Sequence, residues 1–265
     1  MKYLILLLSP ILIFAKIHYA KVEPYESITL KSAVSAQVVN TKLELEGESI
    51  KSDTIIQLDD KLDKIKLKSD REALKLIKNM IKINQNNLSS LLESKKRQEA
   101  YYRRISDMST ASTTQKDKAF YSYISTKTQY FSTKEKIDSL KKQKLDLTYN
   151  IERLKDNIAK KSIKVKNRFL YKLLVNRGDF VNMGVPLAKI KDLTKAKLVL
   201  FLEGDEIKDI RDKIIYINDK STDYEISKIW SVADEKFISS YRTEIVIPNP
   251  KESFSKLFKV EFKKN

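Results

Sequence analysis

The spacing of apolar residues along the chain changes three times, and each spacing predicts a different kind of element. Residues 3–15 are almost uniformly apolar after a single Lys2 and end in the small residue Ala15. That is the layout of a secretory leader, too short to span a bilayer with ease, which takes about 20 apolar residues. Cleavage after Ala15 suits it better than cleavage after Ala20, which would put His18 where a small residue is wanted. An uncleaved N-terminal anchor is the alternative.

Between Gly47 and Gly178 lie 130 residues with neither Gly nor Pro. Here the apolar positions recur in alternating steps of three and four. Leu67, Leu74, Ile81, Leu88 and Tyr102 share one seam position, with Lys95 interrupting, and Ile77, Leu91 and Ile105 share its partner, with Asn84 and Gln98 between them. A second run places Tyr130, Ile137, Ile151 and Ile158 on one position and Leu140, Leu147 and Leu154 on the other. Such steps line up on one stripe of a helix, the pattern of a coiled coil. The polar stretch 109–114 separates the runs, and Ser112 with Gln115 reads as a capping box. Helices are therefore predicted from about 60 to 107 and from about 113 to 160, folded back as an antiparallel hairpin about 70 Å long at 1.5 Å per residue. From Lys195 the pattern turns to short runs of β-branched and aromatic residues, predicting strands at 198–202, 214–217, 224–230, 243–247 and 258–262. A short helix is expected over 204–211.

The flanks of the hairpin resemble each other. Each carries a Gly, an acidic residue, a β-branched residue three after the Gly, a turn position six after it and then an apolar strand: Gly47, Glu48, Ile50 and Asp53 in one copy, Gly178, Asp179, Val181 and Gly184 in the other. Gly47, Gly178 and Gly184 suit structural turns that need positive φ, and Asp53 stands where Gly184 does. Two half-motifs separated by a helical insertion predict one small β-sandwich assembled from both.

This arrangement resembles the periplasmic adaptor (membrane-fusion protein) family of tripartite efflux pumps and type I secretion systems. The residues that carry the likeness are Ala33-Val34-Ser35 with Val38, then Gly178, Val181, Gly184 and Leu187, then Ile190, Asp192-Leu193-Thr194 and the strand from Leu198 to Glu203. The likeness as a whole covers residues 32–250 in the family's order. Ala36 stands where the family has Gly, and Val165 to Phe169 replace its usual Ala-Pro…Asp-Gly element. The resemblance implies an α+β fold: a long antiparallel coiled-coil hairpin (60–162) inserted in a split lipoyl-like β-sandwich (21–59 and 163–193), followed by a β-barrel (194–265), with residues 1–20 as signal peptide or anchor. It implies no lipoylation, since the hairpin occupies the turn that would bear the modified lysine. With the chain stopping at Asn265, no membrane-proximal domain beyond the barrel is expected.

For function, the resemblance implies a non-enzymatic periplasmic adaptor, associated with the inner membrane, that joins an ABC or RND transporter to an outer-membrane channel. It implies a homo-oligomeric ring, six copies if the family's number carries over. In that family the hairpin tip meets the channel through an Arg, a Leu four residues on and a Ser seven after that. Matching Ser112 to that Ser puts Ile105 at the Leu position and Tyr101 at the Arg position, with Arg103 and Arg104 beside them. The bland alternative is that Ser112 only caps a helix and Ile105 only fills a seam.

Composition narrows the chemistry. The chain has 265 residues, no Cys, one His, and 52 Lys+Arg against 35 Asp+Glu, a formal charge of +17. Thiol nucleophiles, disulfides, Cys-ligated metals and His triads are excluded, and no cofactor, metal or catalytic residue is expected. Glu203, Asp205, Glu206 and Asp209 read as a solvated acidic face and Trp230 as barrel core or rim. A basic nucleic-acid-binding protein accounts for the charge but matches no motif and conflicts with the leader, so nucleic acid is not an expected partner. A periplasmic structural coiled coil without a transport role is the other alternative. The lysines are spread among carboxylates along the whole chain, as on a solvated surface.

Overall fold

The computed structural model describes residues 16–248, 250 and 254–264. The leader expected in residues 1–15 lies outside them. Strands β1 (Ile17–Lys31), β2 (Ala36–Thr41) and β3 (Ser49–Leu58) precede the helices α1 (Lys61–Asp107) and α2 (Thr113–Lys160). Then come β4 (Ser162–Leu173), β5 (Phe180–Val181), β6 (Pro186–Glu203), the single turn α3 (Gly204–Ile207), β7 (Ile214–Ile217), β8 (Lys220–Thr222), β9 (Ile226–Ile229), β10 (Ser240–Pro248) and β11 (Leu257–Lys263). Contacts divide the chain into a β unit (1–57 and 163–265) and a helical unit (58–162).

In the helical unit both helices occupy the spans that the apolar period predicts. The less exposed positions of α1 include an unbroken series at 63, 67, 70, 74, 77, 81, 84, 88, 91, 95, 98, 102 and 105, alternating steps of four and three, with 73, 92, 99 and 106 flanking it. This seam holds Asp63 and Asp70 as well as Asn84, Lys95 and Gln98. On α2 the residues Ala119, Ile137, Leu140, Ile151 and Leu154 are buried. The polar seam residues are used as pairs: Lys161 Nζ lies 2.6 Å from Asp63 Oδ2 and Ser122 Oγ donates to Gln98 Oε1 at 3.2 Å. Such pairs fix antiparallel register at some expense in apolar contact. No helix of the described residues is long and apolar enough to cross a membrane.

In the β unit the hydrogen-bonded order is β5-β2-β3-β4-β6-β1-β11-β7-β8, with β10 on β6 and β9 on β10. The long strands β1 and β6 make this continuous. β1 pairs β11 over residues 17–21 and β6 over 22–31, while β6 pairs β10 over 195–203. Between them the ladder jumps from Pro24↔Ala196 to Glu26↔Asp192. Pro24 has no N–H to give, a sufficient cause for a bulge there. Asp192 anchors the bulge: it accepts from Thr194 N at 2.9 Å and Thr194 Oγ1 at 2.6 Å, with Arg168 Nη1 3.4 Å away. Burial pushes the Asp192 carboxyl up, but the Thr194 bonds and the Arg168 charge outweigh it and hold the group below its ordinary pKa. Beyond the bulge, strict alternation buries Ala196, Leu198, Leu200 and Leu202 against Val22, Ile245, Ile247 and Val260.

The two half-motifs are equivalent in hydrogen bonding. Gly178 N donates to Val38 O (2.8 Å) and Val38 N to Asp179 O (2.8 Å); Gly47 N donates to Leu170 O (2.9 Å) and Leu170 N to Glu48 O (3.0 Å). Each Gly turn is clipped to a strand of the other half, so neither half completes its hydrogen bonding alone. Gly47 and Gly178 have φ of +83° and +99°, where a Cβ is strained. Gly184, φ +88°, closes a third turn, donating to Ser32 O at 2.8 Å. Asp53, aligned with Gly184 in the sequence, is instead inside β3 and its carboxylate takes Lys42 Nζ at 2.6 Å. The first copy runs straight where the second turns, because β3 continues unbroken to the first helix.

Candidate functional site

The hairpin closes in five residues, 108–112. Ser112 accepts from Gln115 N at 3.3 Å while Gln115 Oε1 accepts from Ser112 N at 2.9 Å, a reciprocal capping box that satisfies two free donors of α2. Lys116 Nζ reaches across to Ser106 O at 2.9 Å and ties the two helix ends. Ile105 lies in the seam, half-buried, whereas Tyr101, Arg103, Arg104 and Ser112 are exposed. Arg103 is held by Glu99 Oε1 at 2.7 Å; Arg104, in the last turn of α1, suits the negative end of the helix dipole. Tyr101, Arg104 and Ser112 therefore face solvent at one end of the helical unit, and Ile105 backs them.

Sequence reasoning missed what surrounds this end. Seven of the eight aromatic residues between 60 and 162 fall between 101 and 131. Tyr102 stacks on Tyr123 with ring centroids 5.9 Å apart and planes 1° apart, and meets Phe120 at 5.5 Å. Lys95 Nζ lies 5.5 Å from the centre of the Tyr130 ring, so the interrupting lysine of the seam is a cation–π partner. Residues 95–127 carry eight Lys and Arg against three Asp and Glu. Clustering by position, which heptad reading discards, would have exposed both features.

A second polar cluster lies in the β unit where β1 begins. Lys16 Nζ is 2.9 Å from Glu203 Oε1 and 3.6 Å from Glu206 Oε2, and His18 Nε2 is 2.8 Å from Glu206 Oε1. Burial raises the Glu206 carboxyl; the Glu203 amide, His18 and Lys16 more than offset this and leave it below its usual pKa. The hydrogen bond that Lys16 donates to Glu203 raises the pKa of its ammonium. Asp205, its side chain 95% exposed, pairs with Lys208. These groups neutralise each other around the α3 turn. Among the described residues no group of three or more His, Asp or Glu is arranged to hold a metal ion. Trp230 is at the rim of the same unit, with Lys228 Nζ 4.3 Å and Arg242 Cζ 4.8 Å from its ring centre.

No protein-family model and no curated protein sequence matches the chain. Solved structures do. MacA from Actinobacillus actinomycetemcomitans superposes with a TM-score of 0.72 at 14% identity, over 94% of this chain and 79% of that one. The membrane fusion protein Spr0693 from Streptococcus pneumoniae R6 gives 0.58 at 7% identity, over 95% and 100%. A MacA–MexA chimera carrying the Pseudomonas aeruginosa MexA α-hairpin gives 0.55 at 16% identity, over 94% and 82%. At these identities the likeness is one of architecture: a helical hairpin inserted between the halves of a β domain, with further strands after it. By structure, the chain has the fold of the periplasmic adaptor, or membrane-fusion, proteins.

Proposed function

We propose that the chain is an exported periplasmic adaptor that links an inner-membrane transporter, of ABC or RND type, to an outer-membrane channel, and that it does so without catalysis. The observation that carries this reading is the hairpin: helices of 47 and 48 residues closed by a capped turn, with exposed basic and aromatic residues on the helix ends beside it. Coiled coils of this length bury little except their own seam, and they serve to present their ends at a distance. In this reading Tyr101, Arg104, Ile105 and Ser112 meet the channel, Arg104 supplies the charge that Tyr101 lacks, and β strands of the 21–59 and 163–193 halves and of the 194–265 segment face the transporter. Processing after Ala15 fits the fold, because β1 pairs from Ile17 onward and Ala20 is buried; a cut after Ala20 would remove four ladder positions, Ile17 to Ala20.

A homo-oligomeric ring, of six copies on the family's pattern, is supported by a second stripe on α1 away from the seam. Leu62, Ile65, Leu76, Met80 and Ile83 are all exposed and fall on one helix face. A second copy of the hairpin is the occupant this face suits.

The test is co-purification of the full chain with its channel, comparing wild type with the double variant Ile105→Asp, Ser112→Asp. Loss of the channel from the variant, with helicity retained by circular dichroism, is expected. Wild-type yield from the variant would sink the tip assignment.

A further inference from the structure

We propose that the loop between β9 and β10 is a lipid-contacting wedge, and that the end of the β unit bearing it rests on the membrane surface. This goes beyond the adaptor reading. It rests on the envelope placement argued above but not on the channel contact or the ring.

The loop exposes what soluble surfaces normally hide. Val232 is 77% exposed, Ile238 86% and Phe237 50%. An isolated exposed apolar residue needs no explanation, but three large ones on one ten-residue loop do. The patch is built, not frayed. Asp234 Oδ1 accepts from Lys236 N at 2.9 Å and Phe237 N at 3.3 Å, and Asp234 N and Ser240 O are 2.9 Å apart. Phe237 is pinned from below by Phe201, ring centroids 4.2 Å apart. Val232 and Ile238 therefore project from a hydrogen-bonded support, with Trp230 and the Arg242 guanidinium lining a cleft of about 460 Å³. Aromatic rings with cations at their faces, beneath projecting aliphatics, are the composition of a membrane–water interface.

The topology names the occupant. β10 begins at Ser240 opposite Glu203, the last residue of β6. Glu203 is also the partner of Lys16, the first described residue, which follows the apolar stretch 3–15. The chain thus passes from its membrane-directed segment into the fold at the end of the β unit where the loop projects. Whether that segment is kept as an anchor or cut after export, this is the end delivered to the bilayer first.

Charges lining the two clefts at this end cancel, six Lys and Arg standing against six Asp and Glu. Binding should therefore come from apolar insertion and depend little on salt.

Trp230 is the single tryptophan of the chain, so its fluorescence reports this loop alone. The full chain is mixed with vesicles of phosphatidylethanolamine and phosphatidylglycerol, with and without bromine on the acyl chains. Blue-shifted Trp230 emission and quenching by the brominated lipid are expected, changing less than about threefold between low and high salt. The double variant Val232→Asp, Ile238→Asp alters two exposed side chains and should fold normally, checked by circular dichroism. Its Trp230 quenching should fall about tenfold or more, since two buried aliphatics are lost to charges. The leader is the same in both proteins, so any tethering by it cancels. Trp230 emission unmoved by vesicles, or equal quenching in the variant, overturns the proposal. So does a response that requires a transporter in the vesicle, which would make the loop a protein contact.

Discussion

Asp70 is the point at which the hairpin's stability can be raised by one substitution. It occupies a seam position of α1, its side chain is only 13% exposed, and its single ion-pair partner is Lys66, 3.3 Å from Oδ1. Oδ2 is buried and accepts no hydrogen bond among the described residues. The register set by the Asp63–Lys161 and Gln98–Ser122 pairs brings Asp70 level with Ile151 and Leu154, which are buried. Replacing it with Leu buries an aliphatic side chain, worth about 2 kcal/mol, and removes an unsatisfied buried oxygen, about 1 kcal/mol more. Against this, the exposed pair with Lys66 is lost, at about 0.3–0.5 kcal/mol, in the less favourable Lys-before-Asp order. The net gain is about 2–3 kcal/mol, a rise in Tm of about 10 °C for a unit of this size. Thermal unfolding of the full chain followed at 222 nm reads it, since α1 and α2 dominate that signal. An unchanged or lower Tm for Asp70→Leu would show that the seam is not packed as described, and the register argument would fall with it.

Two other predictions concern the β unit. Gly47→Ala and Gly178→Ala should each lower its unfolding free energy in denaturant titration by about 1–2 kcal/mol, and by similar amounts, because both turns have positive φ and the strain is conformational: nothing lies within 4 Å of either added Cβ. A loss confined to one of them would break the equivalence of the two halves. Asp192 is held below its ordinary pKa in the folded state, so its contribution to stability is complete above about pH 4 and is lost as pH falls through the folded value. Unfolding midpoints from pH 7 to 2 should therefore drop more steeply at the acid end in the wild type than in Asp192→Asn, and parallel curves would refute the anchor role of the bulge.

What was legible in the sequence was whatever repeats at short range. The heptads of 67–105 and 130–158, the Ser112–Gln115 box and the two Gly turns are local signals, and each lies in the structure at the place its spacing implies. What escaped depends on residues far apart in the chain. Asp63 and Asp70 break the apolar rule, yet they lie in the seam because Lys161 and the helix face, not hydrophobicity, put them there. Asp53 mimicked a turn residue by alignment, but its strand had no reason to stop. His18, read as part of a leader's end, is a strand residue bonded to Glu206, 188 positions away.

The same distinction bears on how a scaffold of this construction carries load. The half-motifs are clipped to each other by reciprocal backbone bonds, and the strands β1 and β6 run through the bulge at Asp192 without a break. A pull on the N-terminal end of β1 is therefore borne by ladder hydrogen bonds to β11 and β6 and not by a flexible linker. Within the helical unit, Asp63–Lys161 at one end of the seam and Lys116–Ser106 at the other prevent the helices from sliding past each other. Each unit is thus built to hold length and register under load. Three surfaces with exposed apolar or aromatic groups, the basic aromatic end of the hairpin, the outer stripe of α1 and the 230–239 loop, are places where such a scaffold has binding energy to offer.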